Sequence, residues 1–457
     1  MKTKFFLFLF LINAVITAKI QAQEAQKIPW DGFDLTWMNG NDRRDSSVFK
    51  IPYFTPSIMM DNNFTHSFNN PIDHTVVGST ALSRDDEMVI SALNLGGDFV
   101  YPMANGENVH ARIMTQFGER AEVVPRNDLS PYRGQYDLAD AYRYLDEAYA
   151  GYHFNKWYGI NVDFGLFMSY IGLNSYYQEE NWEYQASYTS DNTPWFFNGI
   201  RVQIFPNKYL KIEPWIINGW QSYGMFNQLP GVGCNITYIP KENVKILTND
   251  YWGTDDQDDL GRHRFHSDNS FLLRYYQGSK IKGINRAALS LTGDLGFEQG
   301  DGVSGFNTHN PNAPAQYFLS AMIYNHIWFA KNKFGWYFGG GLMTNPGRYL
   351  VLEPTGQASD LPNPYNPTAP INPNAFLEAP GLGFTGWDAS TGLRWMPSQS
   401  LEFKVELVHR HSSVPYFAGP GGVTSPDGYT TTAIPAGWTP NLVNQETRII
   451  FAVLFRI

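Results

Sequence analysis

RIIFAVLFRI, residues 448–457, is the stretch whose reading decides the fold. Side chains alternate across a β-strand, so Ile449, Phe451, Val453, Phe455 and Ile457 share one apolar face, while Arg448, Ala452 and Arg456 lie on the other. A ten-residue strand rises roughly 33 Å, and a tilt near 45° brings its span to roughly 23 Å, about the apolar height of an outer-membrane barrel. The expectation is a strand that closes a barrel in lipid.

The opposite end and the composition agree. Residues 1–22 read as a secretory signal: Lys2 and Lys4 precede an apolar run from Phe5 to Ala18, and Ala22 is the small residue before a cut ahead of Gln23. Cys234, the only cysteine, can form no internal disulfide. No other run of about 18 apolar residues suggests a membrane helix. A mean hydropathy of -0.33 suits alternating strands. Aromatic residues make up 16% of the chain, enough for girdles at both membrane interfaces. A formal net charge of -10 argues against nucleic acid as a partner.

From Tyr53 onward, strands separated by turn signals are predicted near 53–67, 87–100, 108–118, 144–154, 158–170, 195–205, 208–219 and 231–239. The second half reads 244–252, 264–276, 284–297, 315–330, 333–345, 384–396, 400–412 and 446–457, which makes sixteen; one miscounted pair would make fourteen or eighteen. Long and short connections alternate. Pro206-Asn207, Lys331-Asn332 and Pro397-Ser-Gln399 are short, whereas 171–194, 298–314, 346–383 and 413–445 are long and polar. A soluble sandwich has no reason to collect its long loops at one end. An all-β, antiparallel transmembrane barrel of the outer membrane does, with short periplasmic turns and long outer loops.

The strand faces carry the same message. Val109, Ala111, Ile113 and Phe117 are expected to face lipid, as are Ile160, Val162, Phe164, Leu166 and Met168, and Leu401, Phe403, Val405 and Leu407. The opposite positions supply candidates for lining a hydrated pore: Arg112, Glu147, Asp163, Arg201, Lys211, Glu213, Arg274, Arg286, Asp294, Arg394, Glu402, Lys404, Glu406 and Arg410. Their mixed signs predict weak ion selectivity.

Other segments stay open. Residues 23–52 could be a periplasmic lead-in or a small lumen plug, and the Pro-rich loop 354–380 could project outward or fold into the pore. Asp255, Asp256, Asp258 and Asp259 form an acidic outer loop that could meet a hard cation, but without EF-hand spacing a solvated loop is the simpler reading. His409 and His411 read as rim histidines rather than metal ligands. No cofactor motif is present. A Ser-His outer-membrane hydrolase and a sealed barrel for adhesion are the competing functions.

Residues 64–71 (FTHSFNNP), 147–152 (EAYAGY), 165–172, Asn198-Gly199 and 217–223 (INGWQSY) resemble the OmpL-like beta-barrel porins. The resemblance spans most of residues 53–457. It implies an outer-membrane channel with no catalytic signature. The expected function is passive diffusion of small hydrophilic solutes; the alternative is a selective or gated channel with a blocked lumen. Expected partners are outer-membrane lipid, the barrel assembly machinery, the solutes themselves and further copies of the chain.

Overall fold

The computed structural model describes residues 27–44, 47–49, 51–125, 138–255, 260–278, 283–300, 304–306, 315–352, 383–429, 435 and 437–457. The signal-peptide reading and the Pro-rich loop 354–380 therefore lie outside the described residues.

Sixteen strands close into one antiparallel barrel. The first half is β1 (Phe54–Ser67), β2 (Met88–Pro102), β3 (Asn108–Phe117), β4 (Leu145–Phe154), β5 (Ile160–Met168), β6 (Phe196–Asn207), β7 (Leu210–Ile217) and β8 (Gly231–Lys241). The second is β9 (Val244–Gly253), β10 (His263–Gln277), β11 (Ile284–Gln299), β12 (Tyr317–Phe329), β13 (Phe334–Asn345), β14 (Phe384–Ser398) and β15 (Leu401–Ser412), with β18 (Gln445–Arg456) as the last stave. Two short strands, β16 (Phe417–Ala418) and β17 (Leu442–Val443), pair with each other in a loop.

Neighbours in the wall follow chain order, and β18 lies between β15 and β1. Phe64 faces Phe451, Met59 faces Arg456, and Ile58 and Ile457 exchange two backbone hydrogen bonds of 3.0 Å. The predicted strand count, order and closing strand are all present.

The outer surface is apolar. Phe164, Ile216, Leu393 and Leu342 are more than half exposed, whereas Glu402, Lys404, Glu406 and Arg410 on β15 are buried and alternate with Val405 and Leu407, which are exposed. Exposed aromatics gather near both rims: Tyr101, Trp157, Tyr209, Tyr238, Phe334 and Trp395 near the short turns, Phe117, Tyr144, Trp252 and Trp387 near the long loops. His409 and His411 flank the Trp387 ring at the long-loop end, at 5.3 and 5.9 Å.

The face assignment fails at the end of β5, at Leu166 and Met168. Leu166 is buried in a cluster with Met114, Tyr176 and Tyr177 instead of meeting lipid, and Met168 packs half-buried against the same cluster. The register with β4 and β6 runs without a shift through this stretch, so Leu166 is buried by the segments packed against it and not by a break in the strand.

Phe451 sits midway along β18 on the exposed face. Phe451→Arg is expected to destabilise the barrel by about 2–4 kcal/mol, measured by urea unfolding in lipid vesicles; an unchanged midpoint would contradict the lipid-facing assignment.

Candidate functional site

The connection 169–195, between β5 and β6, turns into the barrel. It carries seven aromatic residues between Tyr170 and Trp195, too much apolar surface for a solvated loop. Tyr176, Tyr177, Trp182, Tyr184 and Tyr188 are all buried. The sequence pattern places this inner loop among the long outer segments, and the structure corrects that. Its aromatic density was the signal for the inward turn, but only the interior could supply partners for it.

One side of the inner loop is anchored on Asp388 of β14 and on the candidates Lys404, Glu406 and Arg410 of β15. Lys404 Nζ donates to the carbonyls of Gln178 (3.1 Å), Asn181 (2.9 Å) and Glu183 (3.2 Å). Glu406 accepts from the backbone N–H groups of Tyr184 (2.6 Å) and Gln185 (2.9 Å) and from the Tyr337 hydroxyl (2.6 Å). Asp388 accepts from Ser187 Oγ and Tyr188 N, and Arg410 reaches Asp191 at 2.9 Å while lying 4.1 Å from the Tyr188 ring centre. Buried backbone groups must be hydrogen-bonded, so these side chains supply what a sheet partner would otherwise supply. Asp388 and Asp191 are not among the sequence candidates, because nothing in the sequence distinguishes them from other loop or lumen carboxylates.

On the other side, the Tyr177 hydroxyl donates to Glu147 (2.8 Å) and Tyr176 to Gln116 (2.6 Å). Tyr184 donates to Asp61 (2.8 Å), whose other oxygen pairs with Arg120. Two further segments join the inner loop. From the connection between β1 and β2, Ser79 and Thr80 donate to Gln185 and Asp191. From the N-terminal segment, Trp37 accepts from the Trp182 indole at 3.0 Å, and Gly40, at φ 72°, packs against the Leu173 carbonyl, where a side chain would collide.

The remaining candidates also face inward and are mostly paired. Arg112 bridges Glu147 and Asp98; Asp163 accepts from His110 and Arg201; Arg201 lies 4.5 Å from the Tyr149 ring centre; Lys211 pairs with Glu213. Arg274 and Arg286 converge on Asp34 of the N-terminal segment, and Arg394 and Arg43 share Glu402. Asp294 lies 3.6 Å from His266. Asp255 departs from its reading as part of a solvated acidic loop. It turns inward, accepts from Tyr251 (2.6 Å) and Trp220 N (3.1 Å), and lies 3.6 Å from Arg264, because those buried donors compensate its charge better than the rim would. Asp256, Asp258 and Asp259 lie outside the described residues.

Space remains along the opposite wall. A cavity of about 330 Å³ near the long-loop end is lined by Thr193, Trp220, Asp255, Arg264 and Tyr349. A second, of about 290 Å³, is lined by Gly172, Arg201, Glu213, Trp215 and Lys245. They approach each other at the inner loop, where a Cβ built on Gly172 would lie 3.6 Å from Thr193 Oγ1.

A closed sixteen-stranded barrel with an apolar outer face and a charged interior is an outer-membrane channel protein. The family model "Putative beta-barrel porin-2, OmpL-like" matches residues 54–326, well over half of the chain, and the protein belongs to that family. It is an outer-membrane porin, a channel for solute diffusion in contact with membrane lipid. Its fold is similar to the outer-membrane channel DcaP of Acinetobacter baumannii (TM-score 0.51, 11% identity, covering 90% of this chain and 100% of that one). It is also similar to an anion-selective porin from Comamonas acidovorans (TM-score 0.50, 9% identity, covering 88% and 99%). No curated protein matches the chain in sequence.

Replacing Lys404 by Met is expected to weaken inner-loop packing by about 2–5 kcal/mol. Amide exchange would then quicken across residues 178–185 while β2 and β10 stay protected; equal protection in both proteins would refute the anchoring role. Burial, helped by the nearby Asp61 carboxylate, pushes Glu179 in the inner loop up from 4.5 to about 7. Its packed state thus holds a proton that an exposed loop loses, so packing is firmest below pH 4.5 and weakens as pH rises to about 7. Exchange in the inner loop should quicken across that window, and Glu179→Gln should flatten the trend.

Proposed function

We propose that this porin is a constricted channel, in which small hydrophilic solutes pass along the β5–β10 side of the lumen while the inner loop occupies the rest. One observation carries the reading: Lys404, Glu406, Asp388 and Arg410 hold the inner loop against β13–β15, and the two cavities lie on the far side of it. The inner loop therefore narrows the lumen, a constriction the sequence reading sought in the N-terminal segment and the Pro-rich loop and not in residues 169–195. The contacts of Trp37, Asn39 and Asp34 support the reading of the N-terminal segment as a plug.

The inward candidates act in this reading in two ways. Lys404, Glu406 and Arg410 position the loop, while Arg201, Lys211 and Glu213, held in ion pairs, line the space left for the passing solute. Family membership and the channel architecture support transport rather than catalysis. Insertion by the barrel assembly machinery through residues 448–457, and association with further copies, belong to the same proposal.

Purified protein in planar bilayers is expected to open in small, stepwise conductance events. Deleting residues 27–44 should raise the single-channel conductance severalfold. A wild-type protein that never opens would overturn the channel reading, and an unchanged conductance after the deletion would overturn the plug.

A further inference from the structure

A third cavity, of about 270 Å³, opens at the end of the barrel where the short turns lie, on the side away from the two already described. Its volume is just below the roughly 300 Å³ at which sites for drug-sized ligands begin, so it suits a small solute. One part of its wall is cationic. Lys331 and Lys333 project from the turn between β12 and β13 and have no ion-pair partner among the described residues. Arg43 and Arg394 share the single carboxylate of Glu402. Arg286, also in the wall, is held by Asp34 at 2.8 Å.

Another part is apolar. The Trp182 and Trp328 rings meet edge to face at 5.7 Å, with Met38 and Met396 completing the surface. Two acidic residues oppose the cations: Glu180 is committed to Arg456, leaving Glu179. The surplus of positive charge beside an indole surface disfavours a bare inorganic ion and a neutral sugar equally, because each would leave half of the wall unused.

We propose that this cavity binds small organic anions, with a carboxylate on an apolar or aromatic body. The cationic turn takes the carboxylate, and the tryptophans take the body. Any part it plays in transport rests on the channel reading; the binding itself does not.

The test uses the full-length mature protein in detergent, with benzoate as probe and benzyl alcohol as its uncharged counterpart, by isothermal titration calorimetry. Benzoate should bind at least about tenfold more tightly than benzyl alcohol. The exposed double variant K331Q/K333Q should lose about fivefold in benzoate affinity and keep the wild-type circular dichroism. Equal binding of the two probes, or an unchanged affinity in the double variant, would overturn the site. Bilayer recordings of the same preparations separate the two claims. A conducting channel that binds no benzoate defeats this inference alone, and a benzoate-binding protein that never conducts defeats the channel reading while the site stands.

Discussion

Hydrocarbon offers no hydrogen-bond partners, so every backbone N–H and C=O of a strand in lipid must find one in a neighbouring strand. That constraint makes the contact between β18 and β1 the condition for the rest: without it, two staves would present open edges to the membrane. The paired residues run from Met59 opposite Arg456 to Ser67 opposite Arg448, and the ring closes along most of both strands. Closure then creates a second environment. Side chains that point away from lipid enter a space screened from bulk water, where charge must be compensated locally.

The interior meets that demand by bringing loops into it. Glu406 is buried, but it accepts two backbone N–H groups and a tyrosine hydroxyl. Lys404 is buried, but it meets three carbonyls. The same contacts that neutralise the wall give the inner loop the hydrogen bonds its irregular backbone lacks. Wall and loop therefore depend on each other, and the channel keeps space where the loop leaves the wall uncovered.

Charge pairing also changes what the inward residues mean. In sequence, Arg112, Glu147, Asp163 and Arg201 look like a mixed-sign lining with little preference. In the folded chain Arg112 neutralises Glu147, and Arg201 neutralises Asp163, so counting residues overstates the charge a solute meets. Lys331 and Lys333 are not among the lining candidates: the sequence reading places the first in a turn and the second at the very start of a strand, and in the structure both lie in the turn. They are the cations left without ion-pair partners beside the periplasmic cavity.

The sequence by itself determined the barrel: its sixteen strands, their order, the sidedness of the loops and nearly all of the lipid face. Each follows from local regularities, the period of two and the length of a membrane crossing, which need no knowledge of distant residues. Leu166 marks the limit, because contacts with distant residues such as Met114 and Tyr176, and not the local pattern, bury it. Only the tertiary structure decided what fills the lumen. Lys404 and Gln178 are 226 residues apart, and Glu406 and Tyr184 222. A loop's polarity does not reveal which way it folds. The inward turn of residues 169–195 and the burial of Trp37 and Asp255 exist because a closed wall places unpaired donors and acceptors opposite them, and that wall is complete only when the last strand meets the first.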